Sequence, residues 1–307
     1  MSEHLSRRRF LKKSISLSAG ITAGLSLEEK DLLTSAERKP IVTLPEGPVE
    51  GIQKGIIGKF EISRIICGGN LISAQAHSGD LLYVSSLLKH YFTDDKVIEI
   101  LKICEENGIN TTILRCDTNI IRILKRYWNE FGGKIQWLAQ TYPKVDDLTS
   151  NIQMAIDAGA IGAFMDGGSG MTFVKEGRIK EIEKVFAFIK GKGLIAGIGS
   201  HTINVPITVE REGLNPDFYF KTINTGEYVC DDTEETIKFM RTVKKPWIGY
   251  KVLGAGRIDP RRGFNFAFAN GTDFINVGMF DYQIKEDVVL AKNEITNNSK
   301  RERPWCA

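Results

Sequence analysis

Two rhythms of apolar and polar residues alternate along this chain. From residue 60 onward, short runs rich in β-branched and aromatic residues recur: ISRIICGG, NTTILR, IQWLAQTY, AIGAFMDG, LIAGIGSH, FYFKTI, PWIGYKVL and FINVGMF. Between them, apolar residues return every three or four positions, as on one face of a helix. Val97, Ile98, Leu101 and Cys104 make one such stripe. Ile179, Ile182, Val185, Phe186 and Ile189 make a second, and Ile237, Met240 and Val243 a third. The β-type runs are too short and too evenly apolar for half-exposed antiparallel strands, and they fit parallel strands covered by helices. Thr93 with Asp94 and Asp95, and Asp232 with Thr233, suit helix starts. Gly108, Gly159, Gly193 and Gly271 suit helix ends. Eight such units predict a single α/β domain over 51–300, a (β/α)8 barrel with a short N-terminal hairpin. A doubly wound sheet is the alternative, but it rarely needs eight such even units.

In a barrel of this kind, chemistry collects at the carboxyl ends of the strands. The polar residues there are Asn70, Arg115, Asp117, Gln140, Tyr142, Asp166, His201, Lys221, Asn224, Lys251 and Asp281. Lys221 and Lys251 stand inside otherwise apolar runs, where an unpaired ammonium is costly. Three readings are open: each pairs with an acid, each binds an anion, or their mutual repulsion leaves one neutral amine able to form a Schiff base. His201 is a candidate general base or metal ligand. Asp166, flanked by glycine, is a candidate base or ligand too. A divalent metal between them has no HxH or HExxH spacing behind it. Gly254, Gly256 and Arg257 follow the seventh run, where backbone amides in this fold commonly hold a substrate or cofactor phosphate. The long first loop, LISAQAHSGDLLYVSSLLKHYF, has the length of a lid or binding loop. His77 and Asp80 would share one side of a helical turn in it.

Composition narrows the partners. Of 307 residues, 42% are hydrophobic and the net charge is +3. Part of that charge comes from the leader SRRRFLKKS, so no basic stripe points to nucleic acid. Five cysteines without framework spacing argue against a disulfide scaffold. Ser6-Arg7-Arg8-Arg9-Phe10-Leu11-Lys12, followed by ISLSAGITAGLSL, resembles a twin-arginine export signal over 1–27. That resemblance implies the export machinery as a partner and a periplasmic or extracellular location. Residues 28–50 read as linker and 301–307 as a tail, with no stable membrane anchor.

The stretch VEGIQKGIIGKFEISRIICGGN resembles the opening of the aldo/keto reductases, in which a small hairpin precedes the first strand. EENGINTTILR resembles that family's entry to its second strand, and ANGTDFINVGMFDYQIKEDV its last strand and following helix. The resemblance implies a (β/α)8 barrel and an NADP cofactor. It does not carry over the family's Asp, Tyr, Lys and His. Those positions fall near Ile113, in TNIIRILKRY, at Gln140 or Thr141, and near Met165. The leading expectation is therefore an enzyme on a small polar, sugar-like carbonyl compound, working by proton transfer or lyase chemistry. The alternatives are an NADP-dependent reductase with a rearranged acid and a non-catalytic binding barrel.

Overall fold

In the computed structural model, residues 42–75, 81–226, 228–230 and 233–307 are described. Contacts divide the chain into Met1–Thr43 and Leu44–Ala307, and the second unit carries the fold below. The stretch read as an export signal, His77 and Asp80 lie outside the described residues.

Strands β1 (Lys54–Ile57) and β2 (Phe60–Ser63) form the antiparallel hairpin. Eight more strands follow: β3 (Ile65–Gly68), β4 (Thr111–Arg115), β5 (Gln136–Thr141), β6 (Gly162–Met165), β7 (Ile195–Ser200), β8 (Phe218–Thr222), β9 (Trp247–Tyr250) and β10 (Phe274–Val277). They close in the order β3 to β10, with β10 returning to β3, and the pairs are parallel throughout. The chain is thus the α/β barrel that its periodicity predicts. Several runs are trimmed in the structure, and two of these bear on the layout. Ile62 and Ser63 belong to the hairpin, so the first barrel strand starts at Ile65. The seventh run stops at Tyr250, because Lys251 turns left-handed at φ 58°.

The first helices are α1 (Leu82–Tyr91), α2 (Asp94–Glu106), α3 (Thr118–Glu130), α4 (Ser150–Asp157) and α5 (Gly167–Lys175). They are followed by α6 (Ile179–Gly191), α7 (Asn204–Arg211), α8 (Thr233–Met240), α9 (Pro260–Ala269) and α10 (Asp281–Asn297). The apolar stripe of α2 is buried, as is that of α6 from Ile182 onward. Thr93 caps α2 by accepting from the Lys96 amide, a contact worth about 1 kcal/mol. Gly108 ends the α2 turn at φ 85°, a left-handed position where a side chain would be strained. Among the described residues, no helix is long and apolar enough to cross a membrane.

Ile66, Ile113, Leu138, Phe164, Phe218, Phe220, Ile248, Tyr250 and Phe274 share one buried cluster, which fills the barrel. Ile57 and Ile62 of the hairpin join it and close its lower end. Side chains alternate across a strand, so this cluster fixes which residues face inward. On β8 these are Phe218, Phe220 and Thr222, while Tyr219 and Lys221 face the helix layer.

Below the barrel, Asp273 is fully buried and takes ion pairs from Arg301 at 2.9 Å and Arg303 at 2.8 Å. It also accepts from the Trp247 and Cys306 amides. The Trp305 ring lies between Arg301, at 3.5 Å, and Arg64, at 4.1 Å. The residues read as a tail from sequence are therefore packed beneath the barrel.

Candidate active site

The inward alternation brings a set of polar side chains to the carboxyl ends of the strands. His201 follows β7, Thr222 ends β8 and Tyr250 ends β9. His201 Nδ1 lies 3.0 Å from Thr222 Oγ1 and 3.0 Å from the Tyr250 hydroxyl. The Tyr250 ring stacks on Phe220 at 4.0 Å and 14°, so packing below holds the hydroxyl in place. Burial pushes the Tyr250 phenol well above its ordinary range. A hydrogen bond with Thr222 opposes that shift, and the Asp166 charge adds to it. Burial thus favours the protonated form of the Tyr250 hydroxyl. Gly167, at the start of α5, sits against both rings. A Cβ there would lie 3.0 Å from the Tyr250 hydroxyl and 3.4 Å from His201 Nε2.

Across the mouth, Arg115 and Gln140 are register partners on β4 and β5. Arg115 faces inward with Ile113, stands 5.5 Å from the Tyr142 ring, and approaches Asp117 with Nε at 2.7 Å from Oδ2. That approach is close in distance but lacks hydrogen-bond alignment, so it counts as an ion pair. Burial raises the Tyr142 phenol, and Arg115 pulls it partly back. Asn276 on β10 is the register partner of Tyr250. Its Oδ1 is buried with no hydrogen-bond partner among the described residues. Its Nδ2 fills space that a side chain at Gly68 would take, 3.1 Å from the ideal Cβ position.

Several expected site residues have other duties. Asp166 caps α5, accepting from the Gly168 amide at 2.9 Å, the Ser169 amide at 3.1 Å and the Ser169 hydroxyl at 2.5 Å. Three of its roughly four acceptor sites are thus spent on the helix start. Among the described residues, no three His, Cys, Asp or Glu side chains gather as a metal group. Lys221 is 1% exposed and lies on the outer side of the barrel wall. Its ammonium donates to the His201 carbonyl at 3.0 Å and the Thr222 carbonyl at 3.1 Å. It thus fastens the backbone that carries His201 and stands outside the mouth itself. Asn224 stitches its own loop, donating to the Tyr228 carbonyl at 2.6 Å and accepting from the Gly226 amide. Asn70 is exposed in a turn closed by its own carbonyl and the Gln75 amide. Asp281 starts α10 and binds Tyr91 and Lys96.

The loop after β9 does not form an open phosphate cradle. The Gly254 and Gly256 amides donate to the Lys251 and Leu253 carbonyls at 2.9 Å each. Arg257 donates to the Gly254 carbonyl and stacks on Tyr228. A groove of about 640 Å³ between Ile121, Lys125, Met154 and Phe188 lies on the helix layer, and none of the mouth residues lines it.

Tyr250, Thr222 and Asn276 are the mouth residues that sequence reading passed over. The available signal was alternation. Tyr250 shares a face with Ile248, and Thr222 with Phe220, whereas Lys221 stands one position out of phase.

No protein-family model matches the chain, and no curated protein matches it by sequence. Solved structures do. A protein from Pseudomonas aeruginosa assigned as an aldo-keto reductase superposes with a TM-score of 0.60 at 14% identity. That match covers 81% of this chain and 97% of that one. The likeness is one of fold. A truncated 3-deoxy-D-arabino-heptulosonate 7-phosphate synthase from Thermotoga maritima matches at 0.53 and 10% identity, over 81% of this chain and 94% of that one. The BexX/CysO complex of Amycolatopsis orientalis gives 0.52 and 13%, over 81% and 96%. Barrels named for different activities match about equally well, so the barrel says nothing about which reaction is run.

Proposed function

We propose that the protein is a small-molecule enzyme that moves a proton on a polar, sugar-like carbonyl compound. His201 is its acid–base group and Tyr250 the hydroxyl partner. The observation that carries this reading is the shared Nδ1 of His201, 3.0 Å from two hydroxyls. Two proton arrangements are open to the trio. With Nδ1 bare, the Tyr250 hydroxyl donates to it and the proton sits on Nε2. With Nδ1 protonated, it donates to Thr222 Oγ1, whose own hydrogen points to the Ser200 carbonyl at 3.4 Å. A ring that can hold its proton in either place is suited to giving and taking one near neutral pH. Arg115, across the mouth, offers positive charge to an oxygen that gains charge as the proton leaves carbon. Gln140 and Asn276 offer amide groups to substrate hydroxyls.

The NADP-dependent reductase reading has less support. The loop that would hold the cofactor phosphate spends its Gly254 and Gly256 amides internally, and Arg257 is turned onto Tyr228. Those residues do not fit a phosphate group.

The test is proton exchange in D2O followed by NMR, across aldoses, ketoses and 2-oxo acids. At least one compound should exchange the hydrogen next to its carbonyl. His201→Gln should slow that exchange by roughly 10²- to 10⁴-fold. An unchanged rate in the variant would sink the acid–base assignment. Saturable quenching of NADPH fluorescence would reinstate the reductase, and sugar binding without exchange would leave a binding barrel.

A further inference from the structure

Beyond the His201 group, a second feature stands at the carboxyl end of β9. Lys251 follows Tyr250 at the end of β9, in the left-handed region at φ 58°. Ala255 shares that region at φ 57°. A non-glycine residue held there costs about 1–3 kcal/mol, and such strain tends to cluster at functional sites. The backbone is pinned in this shape. The Lys251 carbonyl accepts from the Gly254 amide at 2.9 Å and from Asn224 Nδ2 at 3.3 Å.

The side chain is placed with equal care. Its ammonium lies 4.9 Å from the centre of the Tyr228 ring. The Arg257 guanidinium lies 4.8 Å from the same ring, so a second cation shares its aromatic support. Arg262, in the first turn of α9, donates to Thr225 at 2.9 Å. Asn224, which donates to the Lys251 carbonyl, carries no charge. No carboxylate of the described residues pairs with Lys251, while Glu227, Asp231 and Asp232 lie outside them. Burial alone lowers the ammonium to about 8. This differs from Lys221, whose ammonium donates to two backbone carbonyls.

We infer that Lys251 is a nucleophilic amine that forms a Schiff base with a small aldehyde or ketone entering the barrel mouth. The amine nitrogen adds to the carbonyl carbon. The carbonyl oxygen leaves as water with the two amine hydrogens, and a C=N bond replaces C=O. No oxidant or reductant is needed. The step is separate from proton transfer at His201, and either can fail without the other.

Reductive trapping tests it. The full chain is incubated with glycolaldehyde and cyanoborohydride, which delivers hydride to the imine, and labelled lysines are mapped by mass spectrometry. Lys102, with its side chain 68% exposed, is the internal reference. At neutral pH Lys251 should be labelled roughly tenfold faster than Lys102, its larger neutral fraction being partly offset by a weaker nucleophile. Its labelling rate should rise with pH through a midpoint near 8 and level off above it. Tyr228→Ala, which opens the amine to water, should bring Lys251 down to the reference rate. Labelling of wild-type Lys251 no faster than Lys102 overturns the inference. So does a Tyr228→Ala protein, folded by circular dichroism, that keeps the full advantage.

Discussion

At the scale of the residue, Tyr250 links two layers of the barrel. Its ring stacks on Phe220 in the core, and its hydroxyl meets His201 at the mouth. Removing the hydroxyl therefore separates packing from chemistry. Tyr250→Phe should keep the stack and lose only about 1 kcal/mol of stability, read from urea unfolding. Its carbonyl-proton exchange should drop by roughly a hundredfold. A variant that keeps the full rate would remove Tyr250 from the proton path. The two lysines that stand out in the sequence illustrate how one position decides a role. Lys221 has the wrong phase for the interior and becomes a fastener for the His201 backbone. Lys251 escapes the alternation because the strand ends before it.

At the scale of the element, α1 is the helical part of the long first loop. Its apolar residues Leu82, Tyr83 and Leu87 are exposed, and its far end is anchored. Tyr91 donates to Asp281 at 2.5 Å, Lys96 reaches the same carboxylate at 3.0 Å, and the Tyr91, Phe92 and Phe280 rings meet at 5.1–5.3 Å. Burial raises the Asp281 carboxyl, but hydrogen bonds from Tyr91 and Lys96 outweigh it and leave it below its ordinary value. The sign follows. Folding favours the ionised form, so this contribution is present above the ordinary carboxylate range and is lost as pH falls through the lowered folded value. Tyr91→Phe should speed hydrogen exchange across 82–92 at neutral pH while leaving α2 unchanged. Equal exchange in both proteins would show that the aromatic cluster alone docks the helix. The helices differed in how well the sequence announced them. α2 and α6 carry clear 3.6-residue stripes. α5, read as GGSGMTFVK, has three glycines and no stripe. It forms because Asp166 caps it, and because Gly170 lets it approach β7, where a Cβ would come within 2.5 Å of the Gly199 carbonyl.

At the scale of the whole molecule, one end of the barrel is sealed and the other carries the polar groups. The seal is ionic as well as apolar. Asp273 balances Arg301 and Arg303 with no exposure to water, so removing its charge strands two guanidinium groups. Asp273→Asn should cost about 3–5 kcal/mol, measured as a lower urea midpoint with an unchanged slope. A loss below about 1 kcal/mol, the range of an exposed pair, would mean that the hairpin and Trp305 close the lower end without it.

The eight-fold rhythm of strand and helix is a local property, written in spacings of two and three to four residues, and for that reason the barrel was legible in the sequence. The address of the site at the strand ends came with it, and with the address came His201, Arg115, Gln140 and Tyr142. What the linear chain could not supply was phase and commitment. Whether a residue at a strand end faces the mouth depends on where the strand stops, which separates Tyr250 from Lys251. Whether a polar group is available depends on distant partners, which spend Asp166 on a helix cap and the Gly254 and Gly256 amides on their own turn. Those outcomes are settled by packing and hydrogen bonding between segments far apart in sequence, so only the tertiary structure decided them.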